Sequence, residues 1–221
     1  MKILLIGSSS DIARNLVDNS NPQFEFVELT STPTLTNQHQ IDVQNEESYP
    51  HIEGEVNGIV YFPGSINLRP FSSLKLSDFQ KDYEINVLGL IKTLKHYHKQ
   101  LSTDSSVVLI SSVAASLGMP YHASISMCKA AIEGLCRSLA AEWSPKVRVN
   151  CIAPSVVQTK LSSRLFRNDA QVQQMNARHP LQKVGQPKNI SDAISFLLSD
   201  KSSWIKGQTL HVDGGLSSLK K

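Results

Sequence analysis

Short apolar runs recur along the chain, each about the length of a β-strand and each bounded by turn residues. They cover residues 3–6, 24–29, 58–62, 107–110, 147–152 and 209–212. Their hydrophobicity is nearly continuous rather than alternating, which is typical of strands that helices cover on both faces. The pattern therefore predicts a parallel sheet inside an α/β fold.

The segments between these runs carry helical periodicity. The predicted helices cover residues 11–19, with Asp11 as the N-cap, and residues 72–101, 123–143, 169–177 and 189–198. Strands that alternate with helices predict a single-domain, Rossmann-type, doubly wound parallel sheet with helices on both faces, over residues 1–221. The polar stretch 30–40 is too short for a crossover helix with its turns. The second strand–helix unit of the fold is therefore predicted to be abbreviated.

The amino-acid composition and the net charge argue against some classes of function. The chain has 221 residues, of which 40% are hydrophobic and 19% charged, a balance that predicts one substantial core. The net charge of +3 is small and evenly scattered, which argues against a nucleic-acid-binding surface. The apolar run 3–6 is too short for an export signal or a membrane span, so we expect neither.

Cysteine and histidine usage predicts no metal site and no disulfide framework. Cys128, Cys136 and Cys151 are odd in number and lack Cys-x-x-Cys spacing, which fits a reducing cytoplasm. His96 and His98 lie two residues apart on a predicted helix, about 200° apart around its axis, so they cannot share one ion.

A turn of small residues follows the first apolar run and opens a helix: Gly7-Ser8-Ser9-Ser10-Asp11-Ile12-Ala13. A helix N-terminus offers unpaired N–H groups, and small side chains let a pyrophosphate approach the backbone. Only one glycine is present, so the strict Gly-x-Gly-x-x-Gly pattern is not met. These residues alone leave two interpretations open, a dinucleotide site and a tight turn in which Asp11 only caps the helix.

Over its whole length the chain resembles the short-chain dehydrogenase/reductase family, in particular its 3-oxoacyl-carrier-protein-reductase-like members. The matching segments follow the family's order: Gly7–Ala13, Asp42-Val43, the glycine of Tyr61-Phe62-Pro63-Gly64, Ile85–Gly89, Val108–Ser112, Lys129, Val149–Ser155 and Ile205–Gly215. The resemblance implies a nicotinamide-dependent oxidoreductase, although a fold by itself does not fix a function.

The resemblance also implies roles for individual residues. Ser112 would orient the substrate oxygen, Lys129 would hold the nicotinamide ribose, and Asn86 would hold a relay water. The other cofactor-binding positions that it implies are Gly7, Ser9, Ser10, Asp11, Ile12, Asp42, Val43, Gly64, Pro154, Val157 and Thr159.

The family's catalytic tyrosine is replaced in this chain. It sits four residues before the lysine and roughly thirteen after the serine, and both counts from Lys129 and Ser112 lead to Ile125. Carbonyl reduction needs a proton as well as a hydride, and loss of a positioned acid costs about 10²–10⁴ in rate. We therefore expect impaired or altered proton transfer, with Tyr121 or His122 as the candidates that could substitute as the acid.

The end of the second strand bears on the choice between NAD and NADP. Counting from the glycine turn places Ser31 there, flanked by Thr30 and Thr32, and we take Ser31 and Thr32 as cofactor-binding positions. Hydroxyl groups can donate to a 2′-phosphate, whereas a carboxylate at this place binds the ribose and rejects the phosphate. The hydroxyl side chains at this strand end favour NADP. A small register shift that brought Glu28 to the same place would favour NAD.

Two functions remain open on the sequence. The first is an NAD(P)-dependent oxidoreductase that acts on a small carbonyl or acyl substrate. The second is a catalytically silent homologue that serves as a binding module or as a non-catalytic subunit. The resemblance further implies a homodimer or homotetramer formed through the helices of residues 72–101 and 123–143. The small net charge and the short apolar runs predict neither nucleic acid nor membrane as a partner.

Overall fold

Seven parallel strands form one sheet in the order β3-β2-β1-β4-β5-β6-β7 in the computed structural model, which describes residues 1–19 and 21–220. The strands are β1 (Lys2–Ile6), β2 (Glu25–Thr30), β3 (Gln38–Gln40), β4 (Val56–Tyr61), β5 (Leu101–Ile110), β6 (Val147–Pro154) and β7 (Thr209–Val212). This order, with crossovers on both sides of β1, is that of a doubly wound Rossmann-type sheet. The predicted fold class is confirmed.

Helices cover both faces of the sheet. They are α1 (Asp11–Asn19), α2 (Leu76–Tyr83), α3 (Gly89–Tyr97), α4 (Ala123–Glu142), α5 (Asp169–Arg178) and α6 (Pro187–Leu198). Within β1, Leu4 and Ile6 pack into a cluster with α3 and α4, while Ile3 and Leu5 pack into a second cluster with α1 and α6. Burial on both faces explains why the strands read as continuous apolar runs.

The helix predicted over residues 72–101 is interrupted, so that prediction was wrong in its extent. A π-helical turn, Glu84–Leu88, separates α2 from α3. The Asn86 side chain donates to the Asp82 carbonyl oxygen at 2.8 Å. In a regular α-helix that carbonyl would accept from the Asn86 backbone N–H, so the side chain replaces the backbone donor and the turn widens.

The N-cap assignment at α1 was also wrong. Ser10 Oγ accepts from the Ala13 backbone N–H at 3.1 Å, which makes Ser10 the capping residue. The Asp11 carboxylate instead accepts from the Lys160 backbone N–H at 2.5 Å. Asp11 therefore ties the first turn of α1 to the segment that follows β6.

The second unit is abbreviated, as the sequence predicts. The seven residues that join β2 to β3 contain no helix, and β3 itself is a short polar edge strand. Within residues 1–19 and 21–220, no helix combines the length and apolar character that crossing a bilayer requires.

Candidate active site

A cavity of about 990 Å³ opens along the carboxyl ends of β1, β2, β4, β5 and β6. Ligands of open parallel sheets bind in this crevice, where the strand order reverses. The sequence-predicted positions that line it are Gly7, Ser9, Ser10, Asp11, Ile12, Ser31, Asp42, Val43, Gly64, Ser112, Lys129, Pro154, Val157 and Thr159. Two predicted positions do not line it: Thr32 is exposed outside the cavity, and Asn86 is buried behind Gly64.

The turn after β1 needs its glycine. Gly7 adopts φ +80°, which favours glycine, and a Cβ there would lie 3.0 Å from the ring of Pro63. The backbone N–H groups of Gly7 and Ser8 donate to the Leu29 carbonyl oxygen at 2.8 and 3.1 Å, which fixes the turn to β2. The N-terminus of α1 is thereby held against the cavity with small side chains around it.

Hydroxyl groups and no carboxylate line the cavity where β2 ends. Thr30 and Ser31 line it, and the buried Thr30 Oγ1 has no hydrogen-bond partner among the described residues. Glu28 lies outside the cavity, where its carboxylate accepts from Arg14 at 2.5 Å and from Gln38 at 2.8 Å. The register therefore brings Ser31, not Glu28, to the predicted ribose position.

Helix α4 presents Ile125 and Lys129 to the cavity. They lie one turn apart on the same helix face, and Ile125 is 6% exposed in the first turn. The Lys129 ammonium donates to the Ile110 carbonyl oxygen at 2.9 Å. Burial lowers the pKa of Lys129 to about 8, with Cys128 and Cys151 acting weakly in the opposite direction.

The two serines after β5 have different partners. Ser111 is buried and donates to the Glu133 carboxylate at 2.6 Å. Ser112 lines the cavity, and its Oγ accepts from the Ala114 backbone N–H at 3.2 Å. Since Ser111 is committed to Glu133, Ser112 is the serine whose hydroxyl can donate to a molecule in the cavity.

Gly64 separates two polar groups behind the cavity wall. A Cβ at Gly64 would lie 3.2 Å from Asn86 Oδ1 and 3.5 Å from Lys129 Nζ. Asn86 Oδ1 is buried and has no hydrogen-bond partner in the described part of the chain. Buried polar atoms are normally satisfied by protein or by ordered water, so this oxygen can hold a water between itself and Lys129.

The contacts of Tyr61, at the end of β4, are structural. Its hydroxyl donates to the Ile85 carbonyl oxygen at 2.6 Å, within the π-helical turn that holds Asn86. A Cβ at Gly89 would lie 2.6 Å from this hydroxyl, so the close approach requires glycine there. Burial raises the pKa of the Tyr61 phenol far above its usual range, and the group stays neutral.

Tyr121 and His122, which the sequence predicts as candidate acids, differ in position. His122 lines the cavity, and its Nδ1 lies 2.7 Å from the Pro120 carbonyl oxygen. Tyr121 adopts φ +68°, is 58% exposed and does not line the cavity. The geometry therefore leaves His122 as the nearer of the two.

The sequence reasoning missed two sets of polar residues at the site. One is a buried carboxylate, Asp82, which accepts from Ser65 and Ser124. Its spacing of four residues before Asn86 could have placed it on the same helix face. The other is His179, a buried cavity residue whose Nε2 lies 2.9 Å from Ser155 Oγ. No local pattern signals that contact.

Comparison with known proteins places the chain in a family. A family model described as enoyl-(acyl carrier protein) reductase matches residues 34–217. Glucose 1-dehydrogenase of Gluconobacter oxydans is 30% identical over 152 residues, which cover 67% of this chain and 57% of that protein. Tropinone reductase-like 3 of Erythroxylum coca is 37% identical over 142 residues, 64% of this chain and 55% of that protein. The alignments thus span less than two thirds of these two relatives.

Solved structures share the fold. A gluconate 5-dehydrogenase from Burkholderia cenocepacia, in complex with NADP and tartrate, superposes with a TM-score of 0.89 at 22% identity. The match covers 99% of this chain and 96% of that one. A short-chain dehydrogenase family protein from Francisella tularensis gives the same TM-score and identity over 99% of both chains. Together with the family model, which matches well over half of the sequence, these findings show that the chain is an oxidoreductase of the short-chain dehydrogenase/reductase family.

Proposed function

We propose that this chain binds NADP(H) in the cavity and interconverts a small alcohol with its carbonyl or acyl counterpart. The observation that carries the proposal is that a single cavity unites the Gly7 turn, Ser112 and Lys129. When bound, the nicotinamide ring would supply or accept the hydride. The residues of the chain would bind the cofactor, orient the substrate and move the proton.

The lining residues divide into three groups in this proposal. The turn before α1 and the first residues of that helix would take the pyrophosphate, which the helix N-terminus attracts: Gly7, Ser9, Ser10, Asp11 and Ile12. Asp42 and Val43 would contact the adenine, and the strand end with its following loop would hold the nicotinamide: Pro154, Val157 and Thr159. Gly64 would leave room beside the nicotinamide ribose.

Three polar residues would form the catalytic set. Ser112 would donate a hydrogen bond to the substrate oxygen, since its hydroxyl is uncommitted. The Lys129 ammonium would hold the ribose hydroxyls. Asn86 Oδ1, buried and unpartnered among the described residues, would hold a water that links Lys129 to the helix interior.

The preference for NADP rests on the end of β2. Ser31 is exposed and brings its hydroxyl group to the cavity, and Thr30 lines it with its own hydroxyl buried. Glu28 is occupied by Arg14 and Gln38 outside the cavity. A 2′-phosphate would find donors and no opposing carboxylate there. The NADP in the complex of gluconate 5-dehydrogenase supports the same choice. Thr32 flanks this position but does not line the cavity.

Proton transfer is impaired or rerouted in this proposal because Ile125 occupies the tyrosine position. An isoleucine 6% exposed in the cavity wall has no proton to donate. This observation also favours the second candidate function, a silent homologue that binds the cofactor or a partner subunit without turnover.

The substrate is proposed to be a small molecule. Apolar side chains line the part of the cavity beyond Ser112, among them Leu117, Met119, Leu161 and Met175. Relatives named for dehydrogenation of glucose and gluconate support chemistry between an alcohol and a carbonyl.

We further propose a single-domain, cytoplasmic protein that forms a homodimer or homotetramer. One sheet runs through the described residues, and all three cysteines are free and buried, as a reducing compartment allows. Leu76, Tyr83 and Met127 are exposed apolar side chains on α2 and α4 that a second copy would cover. Light scattering on the protein as it elutes from a size-exclusion column measures its molar mass and so tests the assembly. A monomer at micromolar concentration would contradict the proposed oligomer.

The cofactor preference is tested by placing a carboxylate at the end of β2. Ser31→Asp should weaken NADPH binding at least about tenfold and improve NADH binding, because the carboxylate repels the 2′-phosphate and accepts from the ribose hydroxyls. Thr36→Asp adds the same charge to an exposed turn outside the cavity and should leave both affinities unchanged. Equal effects of the two substitutions would contradict the assignment of Ser31.

A further inference from the structure

A buried carboxylate lies next to the cavity, and none of the described residues forms an ion pair with it. Asp82 is 4% exposed, and its two carboxylate oxygens accept from Ser65 Oγ at 2.5 Å and from Ser124 Oγ at 2.6 Å. Two neutral donors satisfy the charge only in part, so burial of this group costs free energy that the fold must offset elsewhere. The roles proposed above for Ser112, Lys129 and Asn86 make no use of it.

Asp82 also connects two spaces. Ser65, its first partner, lines the main cavity together with Ser112 and Lys129. Asp82 itself lines a second, open and polar cavity of about 250 Å³. Asp82 therefore borders the second cavity, and its hydrogen bond from Ser65 connects it to the main cavity.

The hydrogen bonds that join Ser65 to Asp82 and to Asn86 have a defined direction. Ser65 donates its only proton to Asp82, and its oxygen accepts from Asn86 Nδ2 at 3.0 Å. A hydroxyl oxygen accepts two hydrogen bonds, so one acceptor position of Ser65 remains. Because Ser65 lines the cavity, an alcohol or a water in the cavity can donate to Ser65 Oγ. That hydrogen bond would have the same direction as the bond from Ser65 to Asp82.

We propose that Ser65 and Asp82 form the proton relay of this chain, in place of the absent tyrosine. The relay rests on the proposed function. In alcohol oxidation, the substrate hydroxyl, directly or through one water, gives its proton to Ser65 Oγ while the Ser65 proton passes to the Asp82 carboxylate. A bound nicotinamide would accept the hydride from the carbon that bears this hydroxyl group, and the substrate would become the carbonyl. Asp82 then releases the proton to water in the second cavity. Reduction runs the same steps backwards, with the second cavity as the proton source.

Charged groups surround Asp82 on two sides. In the second cavity it is joined by Asp78 and by three cations, Arg69, Lys81 and Arg164. On the side of α4, burial and then the charge of Asp82 raise the pKa of the Cys128 thiol to about 11. Cys128 directly precedes Lys129, so the field of the carboxylate reaches the helix that carries the lysine.

A matched pair of serines tests the relay. Ser65→Ala and Ser124→Ala each remove one hydrogen bond to Asp82, but only Ser65 lines the cavity. The assay follows NADPH oxidation with butane-2,3-dione, a reactive probe ketone, together with NADPH affinity and urea unfolding. We expect Ser65→Ala and Asp82→Asn each to lower kcat about 10²-fold or more with little change in NADPH affinity. The double variant should lose no more than either single one.

Ser124→Ala should lower stability about as much as Ser65→Ala while its kcat stays within about threefold of the native value, as expected for a group outside the path. Asp82→Asn and Ser65→Ala should both lose the same limb of the pH profile of kcat. A purely structural role of these residues would leave the shape of that profile unchanged. Equal rate losses in both serine variants, or an unchanged pH profile in Asp82→Asn, would overturn the relay. Native protein that binds NADPH but does not reduce the ketone at any pH would also overturn it. Absence of NADPH binding would instead overturn the proposed function.

Discussion

Replacement of Ile125 by tyrosine would introduce a proton donor at a defined place in the cavity. The residue lies in the first turn of α4, one turn before Lys129, and its side chain lines the cavity. The larger ring can extend into the cavity of about 990 Å³ instead of displacing the core, so we expect little loss of stability. The new phenol would face the same space as the Lys129 ammonium.

The magnitude follows from the acid and from the lysine beside it. A positioned acid contributes about 10²–10⁴ in rate, equivalent to about 3–5 kcal/mol of barrier. With its pKa at about 8, Lys129 is mostly protonated at pH 7, and its charge lowers the pKa of a neighbouring phenol toward the working range. Because the proposed relay already supplies part of this effect, we expect Ile125→Tyr to raise kcat for butane-2,3-dione at least about tenfold.

Ile125→Phe is the matched control, since it adds the same ring without the hydroxyl group. The ratio of kcat between the tyrosine and phenylalanine variants measures the contribution of the phenol proton to the rate, because both rings fill nearly the same volume. NADPH affinity, measured by titration of each variant, separates loss of cofactor from loss of chemistry. An Ile125→Tyr variant that binds NADPH but turns over no faster than Ile125→Phe would refute the account of the missing acid.

Two further predictions concern stability. Burial holds the pKa of Lys129 at about 8, so between pH 8 and about 10.5 the unfolded chain keeps a proton that the folded chain has lost, and stability rises with pH. Urea unfolding should give native protein a gain of about 2–3 kcal/mol from pH 8 to pH 10 beyond that of Lys129→Met, and parallel curves would contradict the burial effect. Tyr61→Phe removes the 2.6 Å hydrogen bond to the Ile85 carbonyl and should cost about 1–3 kcal/mol in the same assay, with NADPH affinity retained. An unchanged unfolding free energy would mean that this contact does not stabilise the π-helical turn.

Much of the fold follows from local patterns in the sequence. The continuous apolar runs predicted six of the seven strands, because side chains such as Leu4 and Leu5 are buried on opposite faces of one sheet. The strand β3 was missed since Gln38–Gln40 is polar and lies at the sheet edge, where packing imposes no apolar pattern. The break between α2 and α3 was missed because periodicity carries no trace of the Asn86 side-chain bond to Asp82.

The candidate site was predictable where a residue type and its spacing carry the chemistry. Gly7 was found that way, whereas Ser112 and Lys129 were found through the family resemblance, and the structure brings all three to one cavity. Asp82 and Ser65 were not, because their meeting depends on how α2 packs against the loop after β4. Contacts between elements distant in sequence leave no local signal, so a buried carboxylate reads as an ordinary polar helix position.

The most direct measurement is an equilibrium titration of the purified protein with NADPH and, in parallel, with NADH. It needs no assumption about the substrate. The account predicts saturable 1:1 binding with NADPH preferred, because Ser31 presents a hydroxyl to the cavity while Glu28 is paired with Arg14 outside it. Preference for NADH would contradict the assignment of the β2 end, and absence of binding to either nucleotide would contradict the central claim that this cavity is a nicotinamide cofactor site.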